Sequence, residues 1–90
     1  MTLTIEVFTA PGCGKCGKAK TRLKKVVEQM ELDGVEWREV NILDELDYTV
    51  ALGILTTPAI AMNGKLVFSG LPSEQAMRKA VSEYLGVVAK

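Results

Sequence analysis

Hydrophobic and polar positions alternate from the start of the chain. Leu3, Ile5 and Val7 fall on one side, and Thr4, Glu6 and Phe8 on the other. That period of two predicts a strand over 3–8. Ala10-Pro11-Gly12 breaks it, because proline lacks a backbone donor and glycine favours a turn. From Gly14 onward the period changes. Ala19, Leu23, Val26, Val27 and Met30 recur at helical spacing on one face, while the lysines and Arg22 occupy the other. Asp33-Gly34 is expected to end this helix, with Gly34 as a left-handed cap.

Residues 35–42 read as a second strand. Its apolar positions, Val35, Trp37, Val40 and Ile42, slip phase midway, which predicts a bulge or an edge position. A short helix follows over 44–52, with acidic residues near its positive end and Gly53 just past its close. Two short strands, 59–62 and 66–68, are joined by Asn63-Gly64, a strong hairpin signal. Ser73 is expected to cap a last helix whose buried face is Ala76, Met77, Ala80, Val81, Tyr84 and Leu85. The order is β-α-β-α-β-β-α. Its first three elements predict a parallel βαβ unit with a right-handed crossover. The late hairpin adds antiparallel strands, so the chain reads as an α/β fold with a mixed sheet and helices on both faces.

Ninety residues make one domain, spanning 1–90. No apolar run approaches the roughly 18 residues of a membrane span, and the start lacks the basic and apolar regions of a signal peptide. A cytoplasmic location with no membrane contact is expected. Eleven basic residues balance eleven acidic ones, and aromatics make up only 6%, which argues against nucleic acid as a partner. The charges are segregated, however. Six basic residues lie between Lys15 and Lys25, and eight acidic ones between Glu28 and Asp47. Such a run reads as a solvated helix face or as a docking surface for a partner.

The two cysteines both belong to Cys13-Gly14-Lys15-Cys16. Closing so short a loop constrains the unfolded chain very little, so a disulfide here is poor at stabilising and suited to opening and closing. Placed where a strand enters a helix, Cys13 meets the positive end of the helix dipole, which favours the attacking thiolate. Cys16 lies within one turn and is placed to resolve a mixed disulfide. Lys15 and Lys18 add positive charge, Lys15 being the candidate that tunes the Cys13 pKa. A buried, inert pair is one alternative, and a metal site is another. Structural zinc wants four nitrogen or sulfur ligands, and the chain has no histidine and two cysteines, but a two-coordinate Cu(I) carrier remains open.

The segment Gly53-Ile54-Leu55-Thr56-Thr57-Pro58-Ala59 resembles that of the thioredoxin superfamily in which a helix ends and a cis-proline begins the third strand. Asn63-Gly64-Lys65 and Gly70 follow at the family's spacing, and the resemblance runs from Ile5 to Leu85. It implies a thioredoxin fold with strand order 2-1-3-4, a cis Thr57–Pro58 bond facing the cysteines, and Thr57 and Pro58 as substrate-binding residues. Classical thioredoxins have Trp before the first cysteine and an Asp six residues ahead of it, where this chain has Gly12 and Val7. Thr56-Thr57-Pro58 resembles the glutaredoxin pattern, but Phe68-Ser69-Gly70-Leu71-Pro72 lacks the glycine pair and acidic cap that bind glutathione. The nearest likeness is to short, glutaredoxin-sized, thioredoxin-like proteins of prokaryotes. Such a protein is implied to be a monomer that reduces disulfide-containing protein substrates. Its redox group is the Cys13–Cys16 disulfide with no bound cofactor, and its electron donor is a flavin-dependent disulfide reductase or glutathione.

Overall fold

The first strand, β1 (Leu3–Thr9), is buried from both faces, with Leu3, Ile5, Val7 and Phe8 all fully shielded. Such burial requires a neighbour on each edge and a layer on each side. The computed structural model describes residues 3–31 and 34–85, without the Leu85 side chain, and supplies both. A second strand, β2 (Val35–Asn41), pairs with β1 in parallel from Leu3↔Val35 to Thr9↔Asn41. On the other edge β3 (Ala59–Met62) runs antiparallel to β1, from Ile5↔Met62 to Phe8↔Ala59, and itself pairs with β4 (Lys65–Ser69). The strand order is therefore β2-β1-β3-β4, as the resemblance implied.

Among the described residues, three helices cover this mixed sheet: α1 (Cys16–Met30), α2 (Leu46–Ala51) and α3 (Glu74–Leu85). Leu3, Ile5 and Val7 pack with Ala19, Leu23 and Val26 of α1 and with Met77, Ala80 and Val81 of α3. Phe8 points the other way and packs with Val40, Ile54, Ala59 and Ala61, with Tyr48 of α2 against them. Trp37 is half-buried against the α1 and α3 core, a packing residue rather than a site residue.

The local structure departs from the sequence reading in informative places. The phase slip in β2 reflects its edge position, because the register with β1 is unbroken. The irregularity falls instead in the β3–β4 pair between Ile60 and Ala61, which face Phe68 and Leu66 and leave Val67 as the extra residue. Helix α1 is closed by Glu31, left-handed at φ 48°, and not by Gly34. Gly34, at φ 81°, makes the turn into β2, where its carbonyl accepts the Leu3 N–H at 2.7 Å. Asp33 lies outside the described residues. Helix α2 is shorter than expected because Asn41 organises the chain ahead of it. The Asn41 side chain accepts the Leu43 N–H at 2.9 Å, and its carbonyl accepts those of Asp44 and Glu45.

Other expectations match the structure. Asn63 and Gly64 both take positive φ, 51° and 78°, the pair of values that a two-residue turn between twisted strands requires. The Asn63 side chain also accepts the Thr4 N–H at 3.0 Å, which fastens the hairpin to β1. Ser73 caps α3, its hydroxyl accepting the Ala76 N–H at 3.1 Å.

A buried carboxylate fixes α2. Glu6 lies directly across from Arg38 in the β1–β2 register and receives its guanidinium at 3.0 and 2.6 Å on Oε2. The Tyr48 hydroxyl donates to Glu6 Oε1, and Arg38 also reaches Glu45 just ahead of α2. The Tyr48 phenol is held above its ordinary pKa by its hydrogen bond to Glu6 first and by burial second, so it remains a donor at neutral pH.

Candidate active site

Both cysteines follow from where β1 ends. The chain leaves the sheet at Thr9, turns through Pro11 and Gly12, and enters α1 at Cys16. Gly12 takes φ 79°, a backbone conformation that costs side-chain-bearing residues energy, so glycine suits the turn. The Cys13 N–H then bonds the Ala10 carbonyl at 3.2 Å, and the Ala19 N–H bonds that of Lys15 at 3.0 Å to open the helix. Cys13 and Cys16 are joined as a disulfide with their Cα atoms 5.6 Å apart. Helix α1 starts later than its periodicity implied, so Cys13 stands three residues ahead of the first helical residue. No side chain caps α1, and the free N–H groups of its first turn leave a partial positive charge beside the pair.

The two sulfurs are unequally placed. Cys13 is partly exposed, whereas Cys16 is only 5% exposed. Lys15, at the N-cap of α1, and Lys18, in its first turn, are both exposed. Of the remaining basic residues in the run, Lys20 pairs with Glu39, Lys25 pairs with Glu74, and Arg22 donates to the Pro72 carbonyl. Part of the basic stretch therefore fastens α1 to β2 and to the approach of α3, which sequence alone does not reveal.

The second half of the site comes from β3. Ala59 lies opposite Phe8, so the residues just before β3 sit at the sheet end where the cysteine loop begins. Pro58 is buried, the Thr57–Pro58 peptide is cis, and the Pro58 carbonyl accepts the Gly70 N–H at 2.7 Å. Thr57 is half-buried and borders a shallow cavity with Ile42, Ile54, Leu55 and Thr56. Topology thus collects Cys13, Lys15, Cys16, Thr57 and Pro58 at one end of the sheet.

One polar chain near this end was not read from the sequence. Thr9 Oγ1 donates to Glu39 Oε2 at 2.8 Å, and Lys20 Nζ donates to Glu39 Oε1 at 3.1 Å. Glu39 stands across from Val7, the position at which classical thioredoxins carry their buried acid. The Thr9 hydroxyl first and the Lys20 ammonium second hold the Glu39 carboxyl below its ordinary range. It is therefore an anion at neutral pH. Only the parallel register reveals this arrangement, since Thr9 and Glu39 are 30 residues apart. Among the described residues no group of three or more Cys, Asp, Glu or His is placed to hold a metal ion.

Comparison with known proteins adds a separate line of information. Residues 3–82 match the sequence profile of a family described as "Thioredoxin domain". A thioredoxin of Methanocaldococcus jannaschii is 33% identical over 81 residues, which cover 90% of this chain and 94% of the relative. A probable thioredoxin of Methanothermobacter thermautotrophicus is 29% identical over 83 residues, covering 92% and 96%. Among solved structures, mitochondrial thioredoxin 3 of Saccharomyces cerevisiae in its oxidised form superposes with a TM-score of 0.74 at 18% identity. That match covers 90% of this chain and 77% of the other, a likeness of fold.

Proposed function

Because this chain belongs to the thioredoxin-domain family and is a dithiol–disulfide oxidoreductase, we propose that it reduces protein disulfides, with Cys13 attacking and Cys16 resolving. The observation that carries the assignment of roles is the unequal exposure of a bonded pair: an incoming sulfur reaches Cys13, while Cys16 is covered. In the reduced protein the Cys13 thiolate attacks a substrate disulfide, forming a mixed disulfide and releasing one substrate thiolate. The Cys16 thiolate then attacks Cys13 Sγ and releases the second. The substrate gains two electrons, and the protein is left as the Cys13–Cys16 disulfide.

Pro58 has no N–H to donate, and Thr57 and Pro58 come just before β3, at the sheet end where the cysteine loop begins. This stretch of backbone is proposed to receive an extended substrate segment by strand addition, holding its disulfide toward Cys13. A flavin-dependent reductase is favoured over glutathione as the electron donor, since the 68–72 segment lacks the glycine pair and acidic cap expected for glutathione.

The test is stoichiometric. Reduced protein, freed of small thiols and mixed with a disulfide-containing protein, should yield two substrate thiols for each Cys13–Cys16 disulfide formed. Substrate disulfides left intact while both cysteines stay reduced would refute the reading. The same preparation checks Lys15. Its exposed ammonium is proposed to favour the thiolate, so Lys15→Gln should raise the Cys13 pKa and lower the reduction potential by no more than about 30 mV. Unchanged values at low salt would leave Lys15 a solvated helix residue.

A further inference from the structure

The large apolar side chains left exposed among the described residues all fall in one segment. Leu43, Leu46, Val50 and Leu55 are 65, 55, 68 and 93% exposed. Leu46 and Val50 stand one turn apart on α2. The inner side of that helix is already committed. Tyr48 packs on Phe8 with ring centroids 5.8 Å apart and donates to buried Glu6, and Thr49 is buried. Turning Leu46 and Val50 inward would break these contacts, so their exposure is built in. Leu55, the most exposed of the four, lines the shallow cavity that ends at Thr57, next to Pro58. Asp44 and Asp47 are exposed in the same segment, and neither makes an ion pair among the described residues.

We propose that the α2 side of the active site is a docking surface for an apolar and basic segment of the disulfide-bearing protein substrate. Apolar side chains of the substrate cover Leu46, Val50 and Leu55, and its Lys or Arg residues face Asp44 and Asp47. Exposed Lys15 and Lys18 on the α1 side repel such a segment, which confines it to the α2 side. The proposal rests on the disulfide-reductase reading and adds which substrates that site prefers.

Two synthetic peptides with the same intramolecular disulfide test it, one flanked by Leu, Lys and Arg, the other by Leu and Glu. The wild-type protein should reduce the first with about tenfold higher kcat/KM at low salt, and the gap should narrow as salt screens the acidic rim. Asp44→Asn with Asp47→Asn should shrink the preference. Leu46→Ser with Val50→Ser should slow both peptides while leaving reduction of hydroxyethyl disulfide unchanged, which shows that the cysteines are intact. Equal rates on the two peptides, or a preference untouched in both double variants, would overturn the proposal and leave the reductase reading standing. Failure of the wild type on both peptides and on hydroxyethyl disulfide would overturn the two together. A wild-type dimer in sedimentation that Leu46→Ser dissolves would assign the surface to a second copy and overturn the substrate proposal.

Discussion

Cys13→Ser is expected to abolish disulfide reduction, whereas Cys16→Ser stops the cycle after its first step and accumulates a mixed disulfide. The two outcomes differ because the sulfurs do. Cys13 is partly exposed, stands ahead of the uncapped first turn of α1 and has exposed Lys15 and Lys18 close in sequence, which is the basis for proposing its thiolate as the nucleophile. A serine hydroxyl is not ionised at neutral pH, and activity should fall on the order of a thousandfold or more. Cys16 is covered and is bonded to Cys13, their Cα atoms 5.6 Å apart. Without it the substrate stays bonded to Cys13 until an external thiol releases it. Intact-mass measurement after mixing each reduced variant with an excess of the disulfide peptide reads the difference. A peptide adduct should build up on Cys16→Ser and be absent from Cys13→Ser. The reverse pattern would exchange the two roles. Equal iodoacetamide rates at the two thiols of the reduced wild type would remove the basis for the assignment.

The cysteine end of this site was legible in the sequence because its determinants are local. A strand period, a Pro-Gly break and a helical period bracket Cys13 and Cys16, so the strand–helix junction needed no tertiary information. The Asn63-Gly64 turn and the Ser73 cap were legible for the same reason. What stayed hidden depends on pairing between distant strands. Glu6 reads as a polar residue on the solvent side of an alternating strand, yet it is buried because Arg38 and Tyr48 compensate its charge. Glu39 reads as one more residue of an acidic run until the register places it across from Val7, within reach of Thr9 and Lys20. The close of α1 at Glu31 was missed because a left-handed glutamate leaves no compositional mark, while Gly34 nearby offers an obvious one. The apolar surface of α2 is hidden in the sequence for a different reason. In a six-residue helix with apolar side chains on more than one side, periodicity does not say which of them face the core.

Phe8→Ala is expected to destabilise the fold by about 3–5 kcal/mol, a large share of the roughly 5–15 kcal/mol that a small domain has. Strict alternation puts Phe8 with Thr4 and Glu6, on the side that reads as polar. In the structure that side is a second, smaller core, and Phe8 is its largest fully buried side chain, packed among Val40, Ile54, Ala59 and Ala61 with Tyr48 stacked at a tilt. The core is built largely from single residues on different elements, so little can collapse into the space an alanine would leave, and the cavity term should be near its full value. Phe8 is also the residue across from Ala59, so the loss loosens the start of β3, which follows directly on Thr57 and Pro58, together with the seat of α2. Activity on protein substrates should therefore decline in Phe8→Ala at temperatures where the variant is still mostly folded. Leu55→Ala is the matched control. Its side chain is 93% exposed, so stability should change by about 0.5 kcal/mol or less, while reduction of both Leu-containing peptides slows. Chemical denaturation of the oxidised proteins measures both. A Phe8→Ala loss below about 1 kcal/mol would mean that the α2 side contributes little to the fold and that the position of Pro58 depends on the α1 and α3 core alone.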